Sequence, residues 1–429
     1  MPLTPGVACP NGLQALVCQL GAREHYLVAR CFAKCGALAL LATDFWSPVR
    51  PPRRGLFSRG PRVILSAMAR RHDELGRRQV ASFPLLSAAR FGIGWFDRKG
   101  AYDGTIARWF ARGVEALKTP HNVFFGYSYD SLELLQWERR RGGFTVLCQT
   151  DPGPAHYRMM SEEEDQWPQY ATAQSSWWTQ SRAERLREEW DLADLIIANS
   201  EWTREAIVAE GADASKIAIL PLAFDVESRE RGGVGRGQKS EVRSQRSANS
   251  PLRVLFLGTV AVGKGIQYLV EAARLLVEEP VEFTVAGSIR ISPGAVQGAP
   301  KNMKWLGHIP RSRTDELYKD CDIFIFPTLS DGFGLTQLEA LSHGVPVITT
   351  PNCGRVVDEG KTGFIIPPRD PEALANAIRR FAINRNISAS MAPACRDSVR
   401  SYSTKAYSQH LIALIEKYQT QRRRRPALG

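Results

Sequence analysis

No run of 18 apolar residues occurs in this 429-residue chain, so nothing in it is long enough to cross a bilayer as a helix. The apolar run at residues 13–18 has no basic flank before it and leads directly into a polar loop. A secretory leader is therefore not expected, and the expected location is cytoplasmic. Cysteine is sparse and scattered: there are eight, none in a CxxC pair. Cys31 and Cys35 share a helix face but have no neighbours to complete a tetrahedral zinc site. Reduced structural thiols are the expectation for such a chain. A recognisable nucleic-acid module is also missing, and the basic stretches do not interleave aromatics, so nucleic acid is the least favoured partner.

What is present is enough apolar material for real cores, at 44% hydrophobic and 23% charged. The length points to two or three domains. Net charge is +12 and unevenly spread. Residues 50–99 carry twelve Lys/Arg against three acids, and residues 422–425 are all arginine. Such patches favour an anionic partner, here an acceptor or the inner surface of the cell membrane, with a solvated surface as the plain alternative.

Residues 226–250 (VESRERGGVGRGQKSEVRSQRSANS) nearly lack large apolar side chains. Such a stretch cannot offset its own ordering entropy and is expected to be a flexible linker. It separates an N-terminal domain, 1–225, from a C-terminal domain, 251–403. Residues 404–429 form a final helix, which can pack back on the first domain, and a basic tail. After the linker, apolar runs at 253–257, 282–286, 304–306, 323–327, 346–349 and 363–367 alternate with helical patterns at 266–276, 315–320, 335–342 and 370–381. Before the linker, similar runs lie at 13–19, 37–43, 123–125, 144–148, 195–199 and 217–221, with a helical pattern at 25–35. Strands alternating with helices predict an α/β fold of two Rossmann-like, doubly wound domains facing across a cleft. Ligands of such sheets bind beyond the carboxyl ends of the strands, where the glycines fall.

Two stretches carry chemistry. Residues 258–265 (GTVAVGKG) follow a strand and precede a helix, and Lys264 can serve as a point charge for a diphosphate. Gly265 stands where a Walker A loop has Ser or Thr, so this is not that motif; a surface turn is the plain alternative. Residues 327–350 (PTLSDGFGLTQLEALSHGVPVITT) pack a strand end, a glycine turn, a helix start and another strand together. Asp331 and Glu339 sit eight positions apart around the turn. Glycines admit a ligand close to the backbone, the helix N-terminus offers N–H groups to phosphate, and carboxylates accept sugar hydroxyls.

The string SDGFGLTQLEALSHGVPVITT resembles the signature of the retaining, nucleotide-sugar-dependent glycosyltransferases of family 4, the group 1 type with the GT-B fold. The family pattern is a carboxylate, seven residues and a Glu, which Asp331 and Glu339 match. FLGTVAVGKGIQYLVEA, WLGHIP, DIFIFPT, GKTGFIIPPRDPEALANAI and ADLIIANSEWTREAIVAEG with KIAILPLAFD are similar as well. The resemblance implies a transferase moving a sugar from a UDP- or GDP-linked donor to a saccharide or lipid-linked hydroxyl, with retention, in cell-surface polysaccharide or glycolipid synthesis. It implies no metal and no resident cofactor. Lys264 would hold the diphosphate, Glu339 the ribose and Asp331 the transferred sugar. Gly258, Thr259, Gly332 and the backbone N–H groups of Phe333, Gly334, Leu335 and Thr336 would line sugar and phosphate. The backbone at His308 and Ile309 would face the base, and Gly21 would let donor or acceptor approach. Three departures stand out. Asp331 is one methylene shorter than the usual Glu, and Thr259 replaces a common Arg. Gln149 occupies the place of a frequent His, with Asp151 and His156 following as alternatives. An inactive sugar-nucleotide-binding regulator of the same fold is the second reading.

Overall fold

The computed structural model describes residues 12–47, 71–86, 104–172, 178–224 and 250–424. The linker at 226–250, apart from Ser250, lies outside the described residues, as do most of the basic segment 50–99 and Arg425.

The first sheet holds β1 (Ala15–Gln19), β2 (Leu38–Thr43), β3 (Val80–Ser82), β4 (Val123–Tyr127), β5 (Phe144–Gln149), β6 (Leu195–Ala198) and β7 (Ile217–Ile219). They are parallel, in the order β3-β2-β1-β4-β5-β6-β7. The second holds β8 (Leu252–Leu257), β9 (Val281–Ala286), β10 (Met303–Gly307), β11 (Ile323–Phe326), β12 (Val347–Thr349) and β13 (Gly363–Ile365), parallel in the order β10-β9-β8-β11-β12-β13. Each sheet reverses its winding beside its first strand, between β1 and β4 and between β8 and β11. A crevice at the carboxyl ends of the strands opens at such a point.

Parallel sheets are covered on both faces, so their strands must be apolar on both sides. Alternate residues of one strand meet this need. Val17, Phe125, Val146 and Ile197 enter one core of the first sheet, and Leu16, Phe124, Leu147 and Ile196 enter the other. The edge strand β3 was not expected from sequence: three half-buried residues are too few for a legible alternation.

Among the described residues, two elements cross between the units. The Thr404–Arg424 helix sends Tyr407, Leu411 and Ile415 into the core of the first sheet. Further along it, the Tyr418 hydroxyl donates to the Ile217 carbonyl at 3.2 Å and Arg422 pairs with Asp194 at 2.9 Å. In the other direction, the segment after β5 forms the Pro154–Gln166 helix, and Tyr170 beyond it is buried in the core of the second sheet.

Cys18, Cys31, Cys148, Cys321, Cys353 and Cys395 are free and buried. Cys35 departs from the expectation of reduced thiols, being disulfide-bonded. It lies just past the Leu27–Lys34 helix, partly exposed, rather than on the buried face that holds Cys31. No described helix is long and apolar enough to cross a membrane.

Candidate active site

The loop after β8 turns through Val262–Lys264 into the Ile266–Leu275 helix. Gly265 caps that helix with φ +71°, and a Cβ there would run into the Pro327 carbonyl oxygen. Only glycine meets both demands. The loop is tied to the exit of β11, since the Leu329 N–H and the Thr328 hydroxyl both donate to the Gly263 carbonyl, at 3.0 and 3.2 Å. This tie brings Lys264 onto Asp331, whose Oδ2 accepts from the lysine Nζ. The other carboxylate oxygen accepts from the Phe333 N–H at 3.2 Å.

Gly334, at φ +82°, opens the Leu335–Ser342 helix. The first N–H groups of a helix have no partner within it, so those of Leu335 and Thr336 are left for a ligand or solvent. Glu339 lies one turn further in. Its Oε2 accepts from the Tyr318 hydroxyl at 3.1 Å, and Arg311 stands 3.8 Å from Oε1. Its side chain is only 14% exposed, a carboxylate held in place by a phenol and a guanidinium. Gly258 is half-buried with open space where a Cβ would sit, and Thr259 is exposed. His308 is exposed and Ile309 half-buried beyond β10. Lys264, Asp331, Gly332, Phe333, Gly334, Leu335, Thr336 and Glu339 thus follow the loop after β8 and the turn and helix after β11, with Gly258 and Thr259 at the start of the former.

The first domain contributes differently from expectation. Gln149 is fully buried. Its Oε1 accepts from the Trp190 indole at 2.9 Å and its Nε2 donates to the Asp151 carbonyl at 2.9 Å. Both ends are engaged inside its own domain, so the structure does not present it to the cleft. Asp151 accepts from the Tyr129 hydroxyl and from the Gly153 N–H, which orders its loop. Gly21 has φ +82° and donates its N–H to Asp44 at 2.7 Å. Beside it, Glu24, His25 and Tyr26 all adopt left-handed conformations.

His156 comes to the turn after β11 instead. Its ring lies beside the Ser330 backbone and feels Asp151, Lys264 and Asp331. Burial lowers its pKa below the ordinary value; Asp151 opposes that shift and Lys264 adds to it. Its Nδ1 is buried without a hydrogen-bond partner.

Sequence reasoning missed the groups that join the domains here. The Trp202 indole donates to the Ser330 hydroxyl at 3.1 Å and the Thr203 hydroxyl to the Gly332 carbonyl at 3.4 Å. A Cβ on Gly332 would meet the Thr150 carbonyl and come within 2.8 Å of Asn199 Nδ2. The signal for these was weak, an SEWT string at a helix start where Ser200 caps by accepting from the Thr203 N–H.

Residues 251–384 match the family model described as glycosyl transferases group 1. The chain is 26% identical over 258 residues to D-inositol 3-phosphate glycosyltransferase of Corynebacterium urealyticum, covering 55% of this chain and 60% of that one. It is 27% identical over 197 residues to the capsular polysaccharide biosynthesis glycosyltransferase CapM of Staphylococcus aureus, covering 43% and 51%. The chain therefore spans only about half to three-fifths of the length of these relatives. In three dimensions it resembles Anabaena HepE, solved with UDP and glucose, at a TM-score of 0.59 and 15% identity over 94% of this chain and all of that one. That likeness shows the fold: two Rossmann-like domains of the GT-B type.

Proposed function

We propose, from the premise that residues 251–384 form a group 1 glycosyl transferase domain, that this chain moves a sugar from a nucleotide-sugar donor to a hydroxyl acceptor with retention of anomeric configuration. The observation that carries the reading is the pairing of Lys264 with Asp331 just before the Leu335–Ser342 helix, which carries Glu339 one turn further in. Lys264 and the helix N-terminus place positive charge where a leaving diphosphate gains negative charge, which is where electrostatic stabilisation acts. Glu339, already oriented by Tyr318 and Arg311, accepts the ribose hydroxyls. Asp331 accepts from the transferred sugar and faces its anomeric carbon.

In the reaction, the bond between the anomeric carbon and the donor phosphate oxygen breaks. The acceptor oxygen forms its bond on the same face, and its proton passes to the departing phosphate oxygen. Atoms and charge then balance without a separate protein base. The chain's own residues align the donor and neutralise charge. The donor is UDP- or GDP-linked; HepE, solved with UDP and glucose, supports the former. The acceptor is a saccharide or a lipid-linked intermediate in polysaccharide or glycolipid synthesis, in line with the name of the CapM relative. Residues 50–99 would meet an anionic membrane surface or the acceptor.

A panel of UDP-, GDP- and ADP-sugars, read by thermal shift and turnover, tests this, because a ligand of the folded state raises its stability by mass action. One donor is expected to stabilise the chain and to be consumed, with the product anomer matching the donor anomer by NMR. Lys264→Ala and Glu339→Gln should abolish turnover with the fold intact. Wild-type activity in both variants would overturn the site.

A further inference from the structure

The Pro154–Gln166 helix belongs to the N-terminal part of the chain, yet it lies against the loop after β8 in the second domain. Met160, Glu163 and Trp167 fall three and four residues apart and so share one face. Met160 covers Gly263, where a Cβ would run into its sulfur. The Trp167 indole donates to the Tyr268 hydroxyl at 3.3 Å. Between them Glu163 is fully buried. Its Oε2 accepts from Gln267 Nε2 at 2.8 Å and from the Tyr268 hydroxyl at 2.9 Å, and its Oε1 pairs with Arg369 Nε. Arg369 holds this pairing from a left-handed backbone, φ +63°, a conformation that persists only when its surroundings over-determine it.

A carboxylate buried between two domains is costly unless its oxygens are met, and apolar side chains would join the surfaces at least as strongly. What the charge adds is a single position. Gln267 and Tyr268 stand in the first turn of the Ile266–Leu275 helix, two and three residues after Gly265, and Lys264 immediately precedes that glycine. We infer that Glu163 is a positioning residue for donor turnover: it fixes the first turn of this helix across the domain boundary and so sets Lys264 against Asp331. The role rests on the donor reading above. It also makes the phosphate site incomplete without a helix from the other half of the chain.

Glu163→Gln keeps the shape and loses the charge. Arg369→Met removes a partner whose side chain is 41% exposed and leaves Glu163 Oε1 unmet, so a lower melting temperature is expected and is read beside the affinities. For both variants, UDP and UMP affinities are measured by calorimetry beside the melting temperature. Lys264 acylation in the ligand-free protein is followed by mass spectrometry. A positioning role weakens UDP by about tenfold and UMP by less than about twofold. It also raises Lys264 acylation by about threefold or more as the pairing with Asp331 loosens. Equal losses for UDP and UMP with unchanged acylation would make Glu163 merely structural and overturn the inference. If the wild type binds no UDP, GDP or ADP, the donor reading fails, and acylation alone then decides the role of Glu163.

Discussion

Asp331 is gripped at both oxygens, by Lys264 and by the Phe333 N–H, so a side chain shorter than the family's usual Glu still has a defined place. Asp331→Asn keeps the shape and loses the charge. It is expected to lower turnover by about 10²-fold in steady-state assays, the scale of losing one electrostatic contact at a reacting centre. Asp331 and Glu339 stood out in the sequence because their spacing repeats a family pattern across one turn and helix start, and Lys264 because it ends a glycine loop between a strand and a helix. Gln149 was misread because its partner, Trp190, lies 41 residues away on the Gln180–Leu192 helix, and no local signal reports that hydrogen bond. Glu24 was not visible as anything. Burial lifts its carboxyl from 4.5 to about 7 against the opposing charge of Arg23. The folded chain therefore keeps a proton that the unfolded chain releases near pH 4.5. Stability is full below that value, falls by about 3 kcal/mol as pH rises through 7, and levels off above it. Glu24→Gln should remove this share of the slope in urea titrations at about pH 5 and pH 8; identical slopes in variant and wild type would count against it.

Among elements, the turn from the loop after β8 into its helix depends most on one residue. Gly265 combines a positive φ with backbone contact, so Gly265→Ala is expected to cost about 2–4 kcal/mol in chemical unfolding. Gly360, at φ +75° with nothing near an added Cβ, supplies the control: Gly360→Ala should cost only about 1–2 kcal/mol, the steric price of the left-handed conformation itself. The strands of the second sheet were read to within a residue or two, because continuous apolar runs ending in glycine are dense signals. The Pro154–Gln166 helix was not read. Its sequence, PAHYRMMSEEEDQ, buries only Pro154 and Glu163 completely, so no apolar stripe marked it. Its burial is polar and faces another domain, which periodicity cannot reveal.

At the scale of the whole molecule, the two Rossmann-like units are joined by elements that leave one and finish the other. Deleting residues 404–429 removes Tyr407, Leu411 and Ile415 from the first core. It should cost more than the roughly 2–5 kcal/mol of one large core truncation. The expected readout is a lower melting temperature with soluble aggregates in size-exclusion chromatography, and a wild-type melt would argue that this helix is dispensable. The doubly wound pattern was legible in composition and alternation. The crossings were not, because they depend on where distant segments come to rest.

The same crossing has a consequence for biosynthesis. Domains generally fold as units, N-terminal first, while the chain is being made. Here the first sheet cannot close its core until synthesis has passed Ile415, after the whole second sheet has emerged. The two halves must therefore mature together, with the first waiting part-covered for the end of the second.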